Sequence, residues 1–349
     1  GRAWYPGPRD FPPQPNRLYR NQGDGSFADV TDTSGIGRHA GSGMGTICFD
    51  FDQDGDTDIF VCNDQALNFL FENDGQGRFR EVALEAGVAC NYAGEPVGSM
   101  GADSGDYDHD GWTDLFMTDF QRQKPILFHG LGHGAFEDAT LPTGTAVGSF
   151  PYVKWGCGMV DFDNDGFEDI FLGCGHLGPG LDETADRTAY QVRPILLRNL
   201  DGRRFTDVSA ASGDGLQVQV VARGIGCDDL DNDGRVDLVL LSSRHDAVVL
   251  RNESPGQQHW TELRLLGRQG NRDAVGSRVR LTAGPLVQTA EVHSGRSYQS
   301  HFGSRLHFGL GPHDRLDRLE IHWHGGPVET LENLPANRLL TIAQDAGVR

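Results

Sequence analysis

The run DFDQDGDTD at 50–58 recurs as DYDHDGWTD at 106–114, DFDNDGFED at 161–169 and DLDNDGRVD at 229–237. Each copy reads Asp-x-Asp-x-Asp-Gly-x-x-Asp. Carboxylates at positions 1, 3 and 5, with a glycine at position 6 that lets the chain turn sharply, converge hard oxygen ligands on one point, the donor set that Ca2+ takes. The candidate side-chain ligands, at positions 1, 3, 5 and 9, are Asp50, Asp52, Asp54 and Asp58; Asp106, Asp108, Asp110 and Asp114; Asp161, Asp163, Asp165 and Asp169; and Asp229, Asp231, Asp233 and Asp237. Position 7, held by Asp56, Trp112, Phe167 and Arg235, would add its backbone carbonyl. A solvated turn needs an acid or two, not the same positions refilled in every copy. An EF-hand loop would end in a bidentate Glu at position 12, where this chain carries Val61, Met117, Leu172 and Leu240.

The flanks show what carries these loops instead. Before each comes a glycine-bearing, strand-like run (GMGTICF, GSMGADSG, WGCGMV, RGIGC), and after each a compact apolar run (DIFVC, DLFMT, DIFLG, DLVLL). Such segments read as buried strands, so each loop is the tip of a β-hairpin. A second hairpin alternates with the first: NRLYRNQGDGSFADVT (16–31), NFLFENDGQGRFREVA (68–83), PILFHGLGHGAFEDAT (125–140) and PILLRNLDGRRFTDVS (194–209). Phe27, Phe79, Phe136 and Phe205 fall in equivalent places, each followed two residues later by an acid, which keeps one face buried and one wet.

The first aspartates stand at 50, 106, 161 and 229, a pitch of 56, 55 and then 68 residues. Four strands at this pitch fit a β-propeller blade, whose inner strand crowds the central axis and needs the small residues that the glycine-bearing runs supply. A solenoid would need shorter coils. The extra residues of the third unit lie in GHLGPGLDETADRTAYQVRP (175–194), an insertion into one loop of the array. Residues 16–254 supply about four and a half blades after a Pro-rich segment at 1–15, so the ring is expected to be incomplete at its N-terminal side.

Beyond Pro255 the Asp loops stop. WTELRLL, SRVRLTA, VQTAEVHS, RLHFGLG, DRLEIHWH, VETLENL and RLLTIAQ alternate apolar and polar residues, which predicts a small antiparallel β-sandwich over 255–349 packed on the propeller. His301, His307, His313, His322 and His324 are scattered through it; His322 and His324 share one strand face, an arrangement open to a metal but more common as plain surface.

At 349 residues the chain accommodates one large repeat domain and a smaller one; 48 Gly and 23% charged residues suit many short strands and turns. The net charge of −20 argues against nucleic acid or an anionic membrane as partner. Four bound Ca2+ would bring it to about −12. No apolar run approaches the roughly 18 residues of a membrane helix, so no membrane insertion is expected. The chain opens on Gly1, which fits a removed leader or a piece of a longer chain. Cys48, Cys62, Cys90, Cys157, Cys174 and Cys227 lack metal-type CxxC spacing and leave disulfides and buried thiols both open.

The repeats resemble FG-GAP (VCBS) repeats of the integrin α-subunit type. The tail, with NRDAVGSRVRL (271–281), SGRSYQSHFGSRLHFGLG (294–311) and DRLEIHWHGGPVETLENLPANRLLTI (317–342), resembles the ASPIC/UnbV domain. That order is similar to the cartilage acidic protein family. The resemblance implies an all-β protein, an integrin-α-like Ca2+-binding β-propeller followed by a small β-sandwich-like domain, secreted to an extracellular or periplasmic location. The family's biochemistry is mostly unassigned; with about four structural Ca2+ sites read from the loops, the leading reading is a non-enzymatic extracellular module for binding or adhesion toward a protein or glycan. Two alternatives stand beside it. One is a lyase or isomerase using inter-blade residues His39, Tyr92, Glu95, Lys154, Trp155, His176 and Arg223 at the propeller apex. The other is a structural subunit whose ring is completed by an assembly partner.

Overall fold

The glycines that open the inner strands decide how closely the sheets approach. The computed structural model describes residues 6–178, 189–268 and 270–348. Blade I comprises Gly43–Phe49, Asp58–Asn63, Phe69–Asn73 and Phe79–Glu81; blade II, Ala102–Gly105, Asp114–Met117, Ile126–Gly130 and Phe136–Asp138. Blade III comprises Lys154–Val160, Asp169–Cys174, Ile195–Leu200 and Arg204–Asp207, and blade IV has three strands, Ala222–Asp228, Asp237–Ser242 and Val248–Leu250. All are antiparallel meanders, and their inner strands lie side by side in chain order along an arc. A Cβ on Gly101 would sit 2.5 Å from the Trp155 carbonyl of the next blade, and one on Gly156 would sit 2.7 Å from that of Arg223. A side chain at either position would drive the blades apart.

Each blade packs its faces on the next. Phe60, Leu70, Leu115 and Phe128 join one buried cluster between blades I and II, and Phe116, Leu127, Ile170 and Leu197 another between blades II and III. Each such side chain stabilises the fold by about 1.5–3 kcal/mol. The outer-strand phenylalanines follow the same logic: Phe136 stacks on Phe51 of loop I (6.4 Å) and Phe205 packs at a tilt against Tyr107 of loop II (5.8 Å). The expectation of a buried face fails at Phe27, which is 64% exposed. Its hairpin, Tyr19–Asn21 with Phe27–Asp29, stands as a two-stranded sheet, with no inner strand paired to it among the described residues.

Single helical turns, which alternation did not reveal, follow three of these hairpins at Thr31–Ser34, Ala83–Ala86 and Thr140–Thr143. Each ends on a left-handed glycine, Gly35, Gly87 and Gly144. The first two abut the next blade's outer strand, where a Cβ would meet the carbonyl of Phe79 at 2.7 Å or of Phe136 at 2.6 Å. The acid after each Phe acquires a role here: Asp29, Glu81 and Asp138 accept the amide two residues on, at 2.8–3.0 Å. Of the insertion at 175–194, residues 179–188 lie outside the described residues. All six cysteines are free thiols.

The C-terminal domain is two four-stranded sheets around Leu263, Leu281, Phe308, Leu319, Ile321 and Ile342. One sheet, Leu286–Glu291, Arg278–Ala283, Arg315–His322 and Val328–Pro335, is wholly antiparallel. The other corrects the expectation of an antiparallel sandwich: His259–Leu266 pairs parallel with Arg338–Ala343, and an eighth strand, Gly347–Val348, closes the edge. A parallel pair joins strands far apart in sequence, which local alternation cannot reveal. Between the sheets' strands, residues 292–303 run along the inner strands of the blades. Ser294 bridges Cys48 and Ser297 bridges Ala102, Arg296 pairs with Asp103 (2.6 Å), the Ser297 hydroxyl accepts the Cys157 amide (3.0 Å), and Phe302 enters the blade IV core.

Candidate metal centre

Each of loops I–IV turns through two left-handed residues, at position 4 (Gln53, His109, Asn164, Asn232; φ 58–65°) and at the position 6 glycine (Gly55, Gly111, Gly166, Gly234; φ 88–103°). The glycine amide then donates to the position 1 carboxylate, at 3.0 Å on Asp50, 3.2 Å on Asp106 and 2.7 Å on Asp161 and Asp229. The position 7 amide donates to the position 5 carboxylate at 2.8–3.0 Å in every copy, involving Asp56, Trp112, Phe167 and Arg235. Position 7 is thereby held with its backbone at the loop.

Position 9 does more than the spacing foretold. Asp58, Asp114, Asp169 and Asp237 each take the amide of position 2 on one oxygen (3.0–3.2 Å). The other oxygen takes an amide in or just past the third strand (2.7–2.8 Å), that of Asn73, Gly130, Asn199 or Asn252. These buried acids lock the loop to the sheet. The asparagines were missed as well. Asn199 donates to the carbonyls of Glu168 (3.0 Å) and of Tyr107 in the previous loop (2.9 Å), and Asn252 to Val236 (3.1 Å) and Phe162 (2.8 Å). Their recurrence as Arg-Asn at the end of the third strand in blade III and just past it in blade IV was the available signal.

The loops also touch in series. Gln53 donates to the Gly111 carbonyl (2.8 Å), His109 stacks on Phe167 (4.4 Å), and Asn164 donates to the Gly234 carbonyl (2.9 Å).

Ligand atoms within 4.8 Å of one another come from positions 1, 3 and 9 in three loops: Asp50, Asp52 and Asp58; Asp161, Asp163 and Asp169; Asp229, Asp231 and Asp237. In loop II, Asp106, Asp108 and Asp110 form one group, and Asp108, Asp114 and His129 another. The position 5 acids Asp54, Asp165 and Asp233 stand outside these groups. Arg198 pairs with Asp163 (2.7 Å) and Asp165 (3.0 Å), and Arg251 with Asp231 (2.8 Å) and Asp233 (3.3 Å). His129 lies 3.1 Å from Asp114, whose hydrogen bond raises the imidazole to about 9.

Burial, reinforced by neighbouring carboxylates, raises Asp58 to about 8, Asp106 to about 7 and Asp114 to about 6. It pushes Asp161 and Asp169 well above the carboxylate range. One oxygen each of Asp106 and Asp161 is buried with no hydrogen-bond partner. Mutually repelling carboxylates, two of them with orphaned oxygens, are what a hard cation satisfies; in loop II His129 joins one group, and the other loops offer oxygen alone, so these residues fit a metal ion.

The residues considered for catalysis divide. Lys154, Trp155, His176 and Arg223 meet on the face opposite the loops. Arg223 lies 4.1 Å over the Trp155 ring and donates to the His176 carbonyl (2.9 Å), Trp155 donates to the Gly175 carbonyl (2.7 Å), and Lys154 pairs with Asp119 (2.6 Å). Tyr92 and Glu95 line a separate cavity of about 210 Å3, and His39 packs edge-on against Phe69 and Phe71. His322 and His324 are exposed and join no metal-ligating group among the described residues.

Comparison with known proteins agrees with this architecture. The FG-GAP-like repeat family matches residues 10–61, 50–117 and 106–172, and the ASPIC and UnbV family matches 267–349. Cartilage acidic protein 1 of Mus musculus is 25% identical over 309 residues, 86% of this chain and 44% of its own length; that of Homo sapiens is 26% identical over 309 residues, 86% and 43%. The chain thus spans less than half the length of these curated relatives. Among solved structures, an Agrocybe aegerita protein described as recognising non-reducing terminal N-acetylglucosamine is 17% identical (TM-score 0.36; 68% of this chain, 60% of that one). The BP39L lectin of Burkholderia pseudomallei is 9% identical (TM-score 0.32; 86% and 88%). No helix among the described residues is long and apolar enough to cross a membrane. The chain is built of FG-GAP-like repeats followed by an ASPIC/UnbV domain, and it is weakly homologous to cartilage acidic protein 1.

Proposed function

We propose that the chain is a Ca2+-dependent extracellular binding module, with loops I–IV as structural Ca2+ sites. The observation that carries this reading is the fourfold convergence of buried carboxylates at the hairpin tips, two of them with orphaned oxygens. Extracellular modules bind Ca2+ at roughly 10⁻⁴ to 10⁻³ M, a level at which such sites fill outside the cell and empty in cytosol. The ion would neutralise acids that otherwise hold protons or repel, and so fix each hairpin and, through Asn199 and Asn252, its neighbour.

The partner is an extracellular protein or glycan. The face opposite the loops offers it a surface: Tyr92 and Phe150, 66% and 47% exposed, stand with Glu95, Arg122 and Lys124 around the 210 Å3 cavity. An aromatic face beside charged hydrogen-bonding groups suits stacking on a sugar or capture of a protein side chain. The test is thermal unfolding of the full chain in 5 mM CaCl2 and in excess EDTA. At 5 mM the ion stands at roughly 5 to 50 times a dissociation constant of 10⁻³ to 10⁻⁴ M, so each site adds about 1–2 kcal/mol and four sites several-fold more. The melting temperature should therefore fall sharply on chelation; identical melting in the two buffers refutes structural Ca2+.

A further inference from the structure

The C-terminal domain does not rest on the blades at random; it touches every ligand loop. The Asp50 amide of loop I donates to Glu291 Oε2 (3.0 Å). In loop II, the Thr289 hydroxyl donates to Asp106 Oδ2 (2.7 Å). In loop III, His307 Nε2 meets Asn164 Oδ1 (2.7 Å) and the Gly311 amide donates to the Asn164 carbonyl (3.0 Å). In loop IV, Arg305 donates to Asn232 Oδ1 (2.9 Å) and to the Asp229 carbonyl (2.6 Å). A cavity of about 70 Å3 lies between the two domains, lined by Asp106, Asp161 and Asp229 from position 1 of three loops and by Thr289, Glu291 and His307.

This junction concentrates unpaired polarity. Asp106 Oδ1, Asp161 Oδ1, Glu291 Oε1, His293 Nδ1 and His307 Nδ1 are all buried without hydrogen-bond partners, and all five residues line that cavity. Acids crowd this junction: Glu291 of the C-terminal domain accepts the Asp50 amide of loop I, and Glu168, which lines the cavity from blade III, accepts the Asp106 amide of loop II (3.1 Å). Bringing carboxylates together away from water is unfavourable unless a cation lies among them.

We infer that the second loop's cation site is completed across the domain boundary by Thr289, a positioning residue, and that loading of the loops and docking of the C-terminal domain are therefore linked. The inference rests on the Ca2+ reading above. By holding Oδ2, Thr289 fixes the rotation of the Asp106 carboxylate and leaves Oδ1 for the ion, and such outer partners commonly set metal affinity by 10–100-fold. Linkage is reciprocal: whatever the docked domain adds to cation affinity, the cation adds to docking.

The experiment uses the full chain, stripped with EDTA and titrated with CaCl2 by calorimetry. Alongside it, hydrogen exchange is followed in the segment 292–303, with the strand Arg278–Ala283 as an internal reference. We expect Thr289→Val to weaken one site about tenfold while the others are unchanged, and Thr289→Ser to restore it. Circular dichroism in saturating Ca2+ checks that both variants are folded. Chelation of the wild type should accelerate exchange in 292–303 at least tenfold while the reference strand stays protected. If the wild type takes up no Ca2+, both the Ca2+ reading and the inference fall. If it takes up Ca2+ but Thr289→Val titrates like wild type, or chelation leaves exchange in 292–303 unchanged, the inference falls and the Ca2+ reading stands.

Discussion

Lys154 is the most completely buried cation of the blades, and its removal gives a sharp test of how the face opposite the loops is held. Its ammonium lies 2.6 Å from Asp119 Oδ1, both side chains are fully buried, and it also donates to the carbonyls of Phe120 (3.1 Å) and Gln123 (3.0 Å). Among the described residues no other donor satisfies the Asp119 carboxylate, which burial raises to about 6 even against the pull of Lys154. Lys154→Met keeps the volume and strands both the acid and the carbonyls. Breaking one side of a buried pair destabilises by about 3–5 kcal/mol. Asp119→Leu combined with Lys154→Met removes both charges, so it should recover most of that loss and leave about 1–2 kcal/mol for the carbonyls. Urea unfolding in saturating Ca2+, followed by circular dichroism and tryptophan fluorescence together, reads the difference. A single variant within 1 kcal/mol of wild type, or a double variant worse than the single, would refute the reasoning.

Four further outcomes are expected. Gly101→Val should destabilise by about 3 kcal/mol or prevent accumulation of folded protein, since its Cβ would meet the Trp155 carbonyl at 2.5 Å; urea midpoints read this. Asn199→Ala strips one donor group from the Tyr107 and Glu168 carbonyls and should cost about 2–3 kcal/mol in the same assay. In EDTA, stability should fall as pH rises from about 5 to 8, because the native state retains protons on Asp58 (about 8) and Asp106 (about 7) that the unfolded chain, near 3.8, has released. In Ca2+ the trend should reverse, since the ion needs deprotonated ligands, and melts at pH 5.5 and 8 decide the sign. Tyr92→Ala should leave melting unchanged and abolish ligand capture on a glycan or extracellular-protein array; retained capture removes that face from the binding reading.

The loops and the inner-strand glycines were legible because their signals are local: alternate acids, one obligatory glycine, and small residues where two backbones must nearly touch. The same locality limited the rest. Nothing near Thr289 in sequence points to Asp106, 183 residues away. The parallel pairing of Thr261 with Arg338 is silent in any short window. Position 9 was read as a ligand, but its second duty, accepting two backbone amides, depends on where the third strand lies. Lys154 and Arg223 drew notice as reactive types, and only packing shows them spent on a buried carboxylate and an indole face.

The side chains that join loop I to II, II to III and III to IV lie along one rim of the arc, while the blades' long covalent connections cross the other face. The opposite face is tied as well, by Lys154 of blade III to Asp119 of blade II and by Arg223 of blade IV to the His176 carbonyl, so the assembly is riveted at both rims and any force that opens it must break contacts on both.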